Sequence, residues 1–274
     1  MKYRLKQVFI ALIFLLLLCA SVWAAFEPKG YGTTFIASGY SGIASDNAAF
    51  ALFINPAKLA LISSPGIDLF YRNFYQLADL SQITFSSVIP VWGAPLGFGI
   101  SRFGNKLYAE TDLRVAAAWR IWQPFILAAS ANVYHLQIKR YGSAVSFGFC
   151  LAFNYKVNAD FSTAFLISNL NEPHLGTARE RLPVYAALGL CYRFFDQLSA
   201  NLDIVQEEGR PFDYRFGIRY RVQPWFRVMG GFRDIVNSFT TGFDVNYASL
   251  RVGYALEYHP TLGVSHSIST SYAF

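Results

Sequence analysis

The residues best suited to metal or nucleophilic chemistry in this 274-residue chain are four histidines, His135, His174, His259 and His266, and three cysteines. The histidines lie far apart, with no His-Glu-x-x-His and no paired Cys/His spacing. Ser130, Asn132 and Tyr134 share one side of an extended run and His135 takes the other, so a serine, a base and an orienting group do not converge. Gly97-Phe98-Gly99 sits inside an alternating run and reads as small residues on a strand face, not as a nucleotide loop. No catalytic residue, metal or cofactor is therefore expected. What remains is charge in phase. Arg114, Arg120, Arg193, Arg215, Arg219, Arg221, Arg227, Arg233 and Arg251 fall on the same strand faces as Glu110, Asp112, Asp203, Asp213, Asp244 and Glu257. Such a set is either a selectivity lining for anionic or amphipathic solutes or a salt-bridged ladder that stiffens a wall; the ladder is the plainer reading.

The element that carries these charges is clearest from Phe212 to Val222. Phe212, Tyr214, Phe216, Ile218, Tyr220 and Val222 alternate with Asp213, Arg215, Gly217, Arg219 and Arg221. A period of two puts the sets on opposite faces of one strand. The pattern recurs in about fourteen segments, including Leu96–Phe103, Leu107–Ile121, Val145–Tyr155, Val184–Phe194 and Val264–Phe274. Segments of about ten residues with period two, separated by turn residues, indicate a transmembrane β-barrel. Charges on its lipid face would cost roughly 2–4 kcal/mol each at the bilayer midplane, so the parity of the arginines and acids is imposed by the membrane.

The connections fall into two sets. Val91–Ala94, Trp122-Gln123, Lys156–Asn158, Phe195–Gln197, Gln223-Pro224 and Ala248-Ser249 are tight. Gln137–Gly142, Asn169–Leu182, Gln206–Arg210, Asp234–Asn237 and His259–Gly263 are longer or more polar. Short periplasmic turns and longer outer loops give this asymmetry when both barrel ends lie in the periplasm. Trp92, Trp122, Phe194, Trp225, Tyr247 and Tyr258 near strand ends suit interfacial girdles.

Composition agrees. Hydrophobic residues make up 54% and aromatics 18% of the chain, yet beyond the N-terminus no apolar run is long enough for a membrane helix. Lys2, Arg4 and Lys6 followed by Val8–Cys19 and Ser21-Val22-Trp23-Ala24 read as a signal peptide, residues 1–24. Retention as an anchor, and lipidation at Cys19, are the weaker alternatives. Without Lys2, Arg4 and Lys6 the formal charge falls from +6 to +3, and no basic tract suggests nucleic acid. Cys150 and Cys191 fall on small or polar strand faces of non-adjacent strands, so small lumen-facing thiols are expected over a disulfide.

Residues 25–64 lack the alternation. Ser45 or Asp46 is placed to cap a short helix through Asn47–Phe53, and Pro56 takes a first helical position after Asn55. This is expected to be an N-terminal plug or hatch, ahead of a barrel over 65–274. The stretch Gly42-Ile43-Ala44-Ser45-Asp46-Asn47-Ala48-Ala49-Phe50, then Phe53-Ile54-Asn55-Pro56-Ala57-Lys58-Leu59-Ala60, resembles the N-terminal signature of the FadL-like outer-membrane superfamily, and within it the short PorV/PorQ-like branch. The resemblance implies an all-β, fourteen-stranded antiparallel barrel with a helical plug in the outer membrane of a Gram-negative-type envelope. It makes Asp46, Asn55, Pro56 and Ala57 the plug motif. It implies passage of small hydrophobic molecules, or a partner role in type IX protein secretion. The partners expected are outer-membrane lipids, the barrel-assembly machinery that reads a terminal aromatic strand such as the one ending at Phe274, and a hydrophobic ligand or secretion-system proteins. The outer loops are short for the transporter branch, which argues against a deep external groove for long acyl chains.

Overall fold

A computed structural model describes residues 25–46, 49–177 and 179–274. The signal segment and Cys19 lie outside them. Fourteen strands form one closed antiparallel barrel. The first seven are β1 (Gly66–Asn73), β2 (Ser81–Ile89), β3 (Leu96–Gly104), β4 (Tyr108–Trp122), β5 (Phe125–Ile138), β6 (Gly142–Lys156) and β7 (Phe161–Ser168). A small hairpin, β8 (His174–Leu175) with β9 (Glu180–Arg181), interrupts the series. The wall then resumes with β10 (Tyr185–Phe195), β11 (Leu198–Glu207), β12 (Asp213–Gln223) and β13 (Phe226–Arg233). It ends with β14 (Ser238–Tyr247), β15 (Leu250–His259) and β16 (Gly263–Ala273). Closure is made by β1 on β16, with Gly66 opposite Ala273 and Asn73 opposite His266. The barrel itself has no open strand edge, as a hydrocarbon environment requires.

The period-two pattern sorts inside from outside. Tyr214, Phe216, Ile218 and Tyr220 are each more than 40% exposed, whereas Asp213, Arg215 and Arg219 are at most 6% exposed. The apolar side chains therefore form the barrel's exterior and the charges its interior, the reverse of a soluble sandwich. All six girdle aromatics are exposed. Trp122 stacks on Phe125 with ring centroids 4.8 Å apart. Two-residue turns join β4 to β5, β10 to β11, β12 to β13 and β14 to β15, all at the end where β1 begins and β16 stops. We call this the terminal end and the opposite one the loop end. The loop-end connections are less uniform than expected: β5 and β6 run on to Ile138 and Gly142, leaving three residues between them.

The plug segment folds inside the barrel. It contains α1 (Thr33–Ala37), α2 (Ala51–Ile54) and a 3₁₀ turn over Pro56–Leu61. Ile36, Ile43, Phe50, Leu52 and Leu59 are all at most 2% exposed and form the heart of the apolar core. Fully burying each such side chain contributes about 1.5–3 kcal/mol. The helix is shorter than the sequence suggests. Ser45 and Asp46 do not cap it; Ser45 Oγ bonds the Gly42 carbonyl at 2.7 Å, and α2 begins only after Phe50 at φ 54°. The cap comes from the wall, where the Asp68 carboxylate accepts the Phe50 N–H at 3.1 Å.

Docking of the segment needs bare wall. Gly217 and Gly231 stand directly opposite each other on β12 and β13, and the Ser38-Gly39 backbone lies against them. A Cβ on Gly217 would collide with the Ser38 carbonyl oxygen, and one on Gly231 with the Gly39 amide nitrogen. Gly231→Val is therefore expected to cost about 1–3 kcal/mol by overpacking and to loosen residues 33–46 from a barrel that still forms. Limited proteolysis together with heat-modifiable gel mobility checks this: a protease-resistant plug in the variant would contradict it.

Candidate functional site

The plug motif is the hub of the interior. Asn55 is fully buried; its Oδ1 accepts the Ala57 N–H at 3.0 Å and its Nδ2 donates to the Ile43 carbonyl at 2.9 Å. It thereby starts the 3₁₀ turn, with Pro56 at the first position where no N–H is needed, and ties that turn to the preceding loop. Pro56 and Ala57 are buried beside it. Asp46 is exposed and faces the terminal-end opening. Lys58, quoted in the motif but given no role from sequence, is 1% exposed and donates to the Gly42 carbonyl at 2.6 Å. Burial, with Arg219 nearby, pushes its pKa down to about 7. On the wall, Asp203 accepts the Gly42 and Ile43 N–H groups at 2.8 and 3.1 Å.

The inward arginines and acids divide into two groups. Toward the loop end they pair. Arg114 meets Asp112 at 2.6 Å, Arg215 and Arg233 share Asp213 at 2.7 and 2.8 Å, and Glu110 takes Lys29 at 2.5 Å. Glu257 accepts Arg72 and, at 2.7 Å, the Tyr40 hydroxyl. Arg72 and Lys29 were missed from sequence: Lys29 precedes any alternation, and β1 reads as irregular although Asp68, Phe70 and Arg72 share its inner face. Toward the terminal end the pairing is looser. Arg120 donates to the Ala60 carbonyl at 3.0 Å. Arg193 lies 3.4 Å from Asp160, Arg227 lies 3.7 Å from Asp244, and Arg251 donates to Asn246 at 2.7 Å. Arg219 donates to Ser38 Oγ and to the Ser41 carbonyl.

Between plug and wall, in the loop-end half, lies an aromatic chamber of about 80 Å³. Phe26, Tyr31, Phe35, Tyr40, Phe53 and Tyr134 line it, with the Arg114 and Arg215 side chains. Tyr31 stacks on Phe53 at 4.5 Å, and the Arg114 guanidinium lies over the Phe53 ring at 5.0 Å. Burial raises the Tyr31 and Tyr40 pKa values, keeping both phenols neutral. The chamber is roofed from two sides. Leu175 and Leu182 of the β8–β9 loop pack with Tyr134 and Phe26 in a second apolar cluster. Arg181 bridges Glu172 and Glu208 at 2.9 and 3.1 Å, so the charges of this loop are paired while staying exposed to solvent. Of the chamber aromatics only Tyr134 and Phe53 are named from sequence, one on a strand face and one in the plug motif, and neither as part of a chamber; all but Tyr134 come from the aperiodic segment.

Cys150 and Cys191 are buried free thiols on strands separated by β7, Cys150 opposite Ser168 and Cys191 opposite Ser162. Among the described residues no group of three His, Cys, Asp or Glu is placed to hold a metal ion.

Neither a protein-family model nor a curated protein matches this sequence. Solved structures do. The toluene transporter TbuX from Ralstonia pickettii superposes with a TM-score of 0.66 at 15% identity, over 91% of this chain and all of that one. The toluene transporter TodX from Pseudomonas putida gives 0.65 at 13%, over 90% of this chain and 98% of that one. A FadL homologue from Pseudomonas aeruginosa gives 0.65 at 14%, over 89% and 98%. The chain shares their fold. These likenesses do not support the PorV/PorQ-like branch that the plug motif suggests.

Two outcomes follow from the hub. Asn55→Ala removes the acceptor for Ala57 and the donor for Ile43 inside a dry core, so it is expected to lower stability by about 1–3 kcal/mol. Thermal unfolding in detergent reads this directly. Lys58 sets a pH dependence. Between about pH 7 and the ordinary lysine value of 10.5, the unfolded chain holds a proton on Lys58 that the folded chain lacks. Stability therefore rises with pH across that window, and Lys58→Met flattens the rise. Equal slopes for wild type and variant in guanidinium titrations would refute the assignment.

Proposed function

We infer that this protein is an outer-membrane channel that passes small hydrophobic molecules. The observation that carries the reading is the chamber between plug and wall, where Tyr31, Phe53, Phe26 and Tyr134 surround a small enclosed space. Concave, mostly apolar sites with a few fixed polar groups are what hydrophobic ligands occupy. The exposed apolar exterior and the closed backbone fit a bilayer-spanning wall. The shared fold with TbuX and TodX, which are toluene transporters, supports the same class of solute.

Size sets the mechanism. A cavity that accepts benzene measures about 150 Å³, and this chamber has about 80 Å³. A single aromatic ring enters only if a wall yields. The roof made by Phe26 and the β8–β9 loop is the least deeply held wall, since Phe26 is only half-buried and the loop is secured by surface ion pairs. A solute arriving at the loop end would displace it and stack against Tyr31 and Phe53, while the Arg114–Asp112 pair holds the floor. Phe26→Ala is thus expected to speed uptake of radiolabelled toluene by cells lacking the chromosomal gene and carrying the variant, relative to cells carrying the wild type. Uptake indifferent to the presence of the protein, across a panel of hydrophobic solutes, would end this reading.

A further inference from the structure

The imbalance of charge at the terminal end is not explained by hydrophobic passage. A vestibule of about 660 Å³ opens there, and six cations line it: Lys156, Arg193, Arg219, Arg221, Arg227 and Arg251. Four aspartates share the lining. Two of these are engaged, Asp160 beside Arg193 and Asp68 on the Phe50 N–H. Asp196 takes Arg221 through its backbone carbonyl.

Strand register makes the imbalance specific. Arg221 on β12 stands directly opposite Arg227 on β13. Like charges directly opposed across an antiparallel pair destabilise it. Arg193 and Arg219 flank Ser199 in one row across β10, β11 and β12, and Asn246 faces Arg251. Arg227 has Asp244 directly opposite on its other side, 3.7 Å away, so that row holds two guanidinium groups and one carboxylate. In the other two rows a hydroxyl and an amide stand beside the arginines. Arg219 is 6% exposed, and among the described residues no carboxylate lies within ion-pair distance of it.

We propose that the vestibule binds a small organic polyanion, whose carboxylate or phosphate oxygens sit in the arc formed by Arg219, Arg221, Arg227 and Arg251. Planar guanidinium forks match both kinds of oxyanion. The anion would supply negative charge to a lining of six cations and four aspartates, and the same cations would raise its local concentration. The site opens at the opposite end from the aromatic chamber and shares no lining residue with it.

Isothermal titration of the folded protein in neutral detergent at low salt, with citrate and pyrophosphate as probes, tests this. Saturable one-to-one binding is expected, weakened by about tenfold or more in Arg221→Gln/Arg227→Gln and by added sodium chloride. Lys139→Gln/Arg140→Gln, on a loop-end turn, keeps wild-type affinity, and Arg221→Lys/Arg227→Lys keeps part of it. Heat-modifiable mobility establishes that each variant is folded. Preference for citrate or for pyrophosphate names the carboxylate or the phosphate class. No saturable binding of either probe, equal affinity in Arg221→Gln/Arg227→Gln, or binding confined to an acidic polypeptide would overturn the proposal. Toluene uptake by Arg221→Gln/Arg227→Gln stays at the wild-type level, so this site and the hydrophobic route fail separately.

Discussion

A hydrocarbon surround accepts no unpaired backbone amide and almost no charge, and everything else in this structure follows from that constraint. It closes β1 on β16 so that the sheet has no edge. It also drives every wall arginine and acid of the paired set to the inner face, where water is scarce too. Arg72, Arg215 and Asp213 are all at most 4% exposed. Charges placed there by one low-dielectric medium must be neutralised within another, and a carboxylate within hydrogen-bond reach is the means used at the loop end.

The same interior has to hold forty residues with little secondary structure of their own. Helices of four and five residues cannot persist alone. The wall completes them. Asp68 caps α2, Asp203 accepts two successive amides at Gly42 and Ile43, and Thr240 Oγ1 accepts from the Gly39 amide while donating to the Ala37 carbonyl. Wall and plug are therefore one polar network. This is why inward residues alternate between charged groups that reach the plug and glycines, such as Gly217 and Gly231, that let its backbone come close.

The wall was legible in the sequence because lipid imposes a strict period of two, and strand number, inward charges and tight turns all follow from it. The plug was legible in Asn55 and Pro56, whose local roles need only neighbouring residues. Its helix start was not, because the cap at Phe50 is a carboxylate eighteen residues further along. Nor were the partners: parity says that Arg215 and Asp213 face inward, but two positions apart on one strand they could equally have pointed to different neighbours. The aromatic chamber was invisible for a related reason. Phe26 meets Tyr134 and Leu182 only after the barrel closes, and no spacing in the chain encodes a contact made across a lumen.

Interior bonding also decides which part can move. Extracting residues 33–61 would strip Asp203, Asp68 and Thr240 of buried partners at once, each loss costing the full desolvation of a polar group. The stretch at Phe26 and Glu27 is held differently. Glu27 meets Arg210 at 2.6 Å with its carboxylate 43% exposed, and Arg181 holds the β8–β9 loop while itself 40% exposed. Exposed pairs of this kind contribute about 0–1 kcal/mol, within reach of thermal opening on the timescales of loop motion. On the proposed route, a solute crossing the chamber would meet a fixed floor and a yielding roof. The plug would then serve as a permanent inner wall of the passage, and the moving gate would be the short stretch around Phe26 together with the loop that covers it.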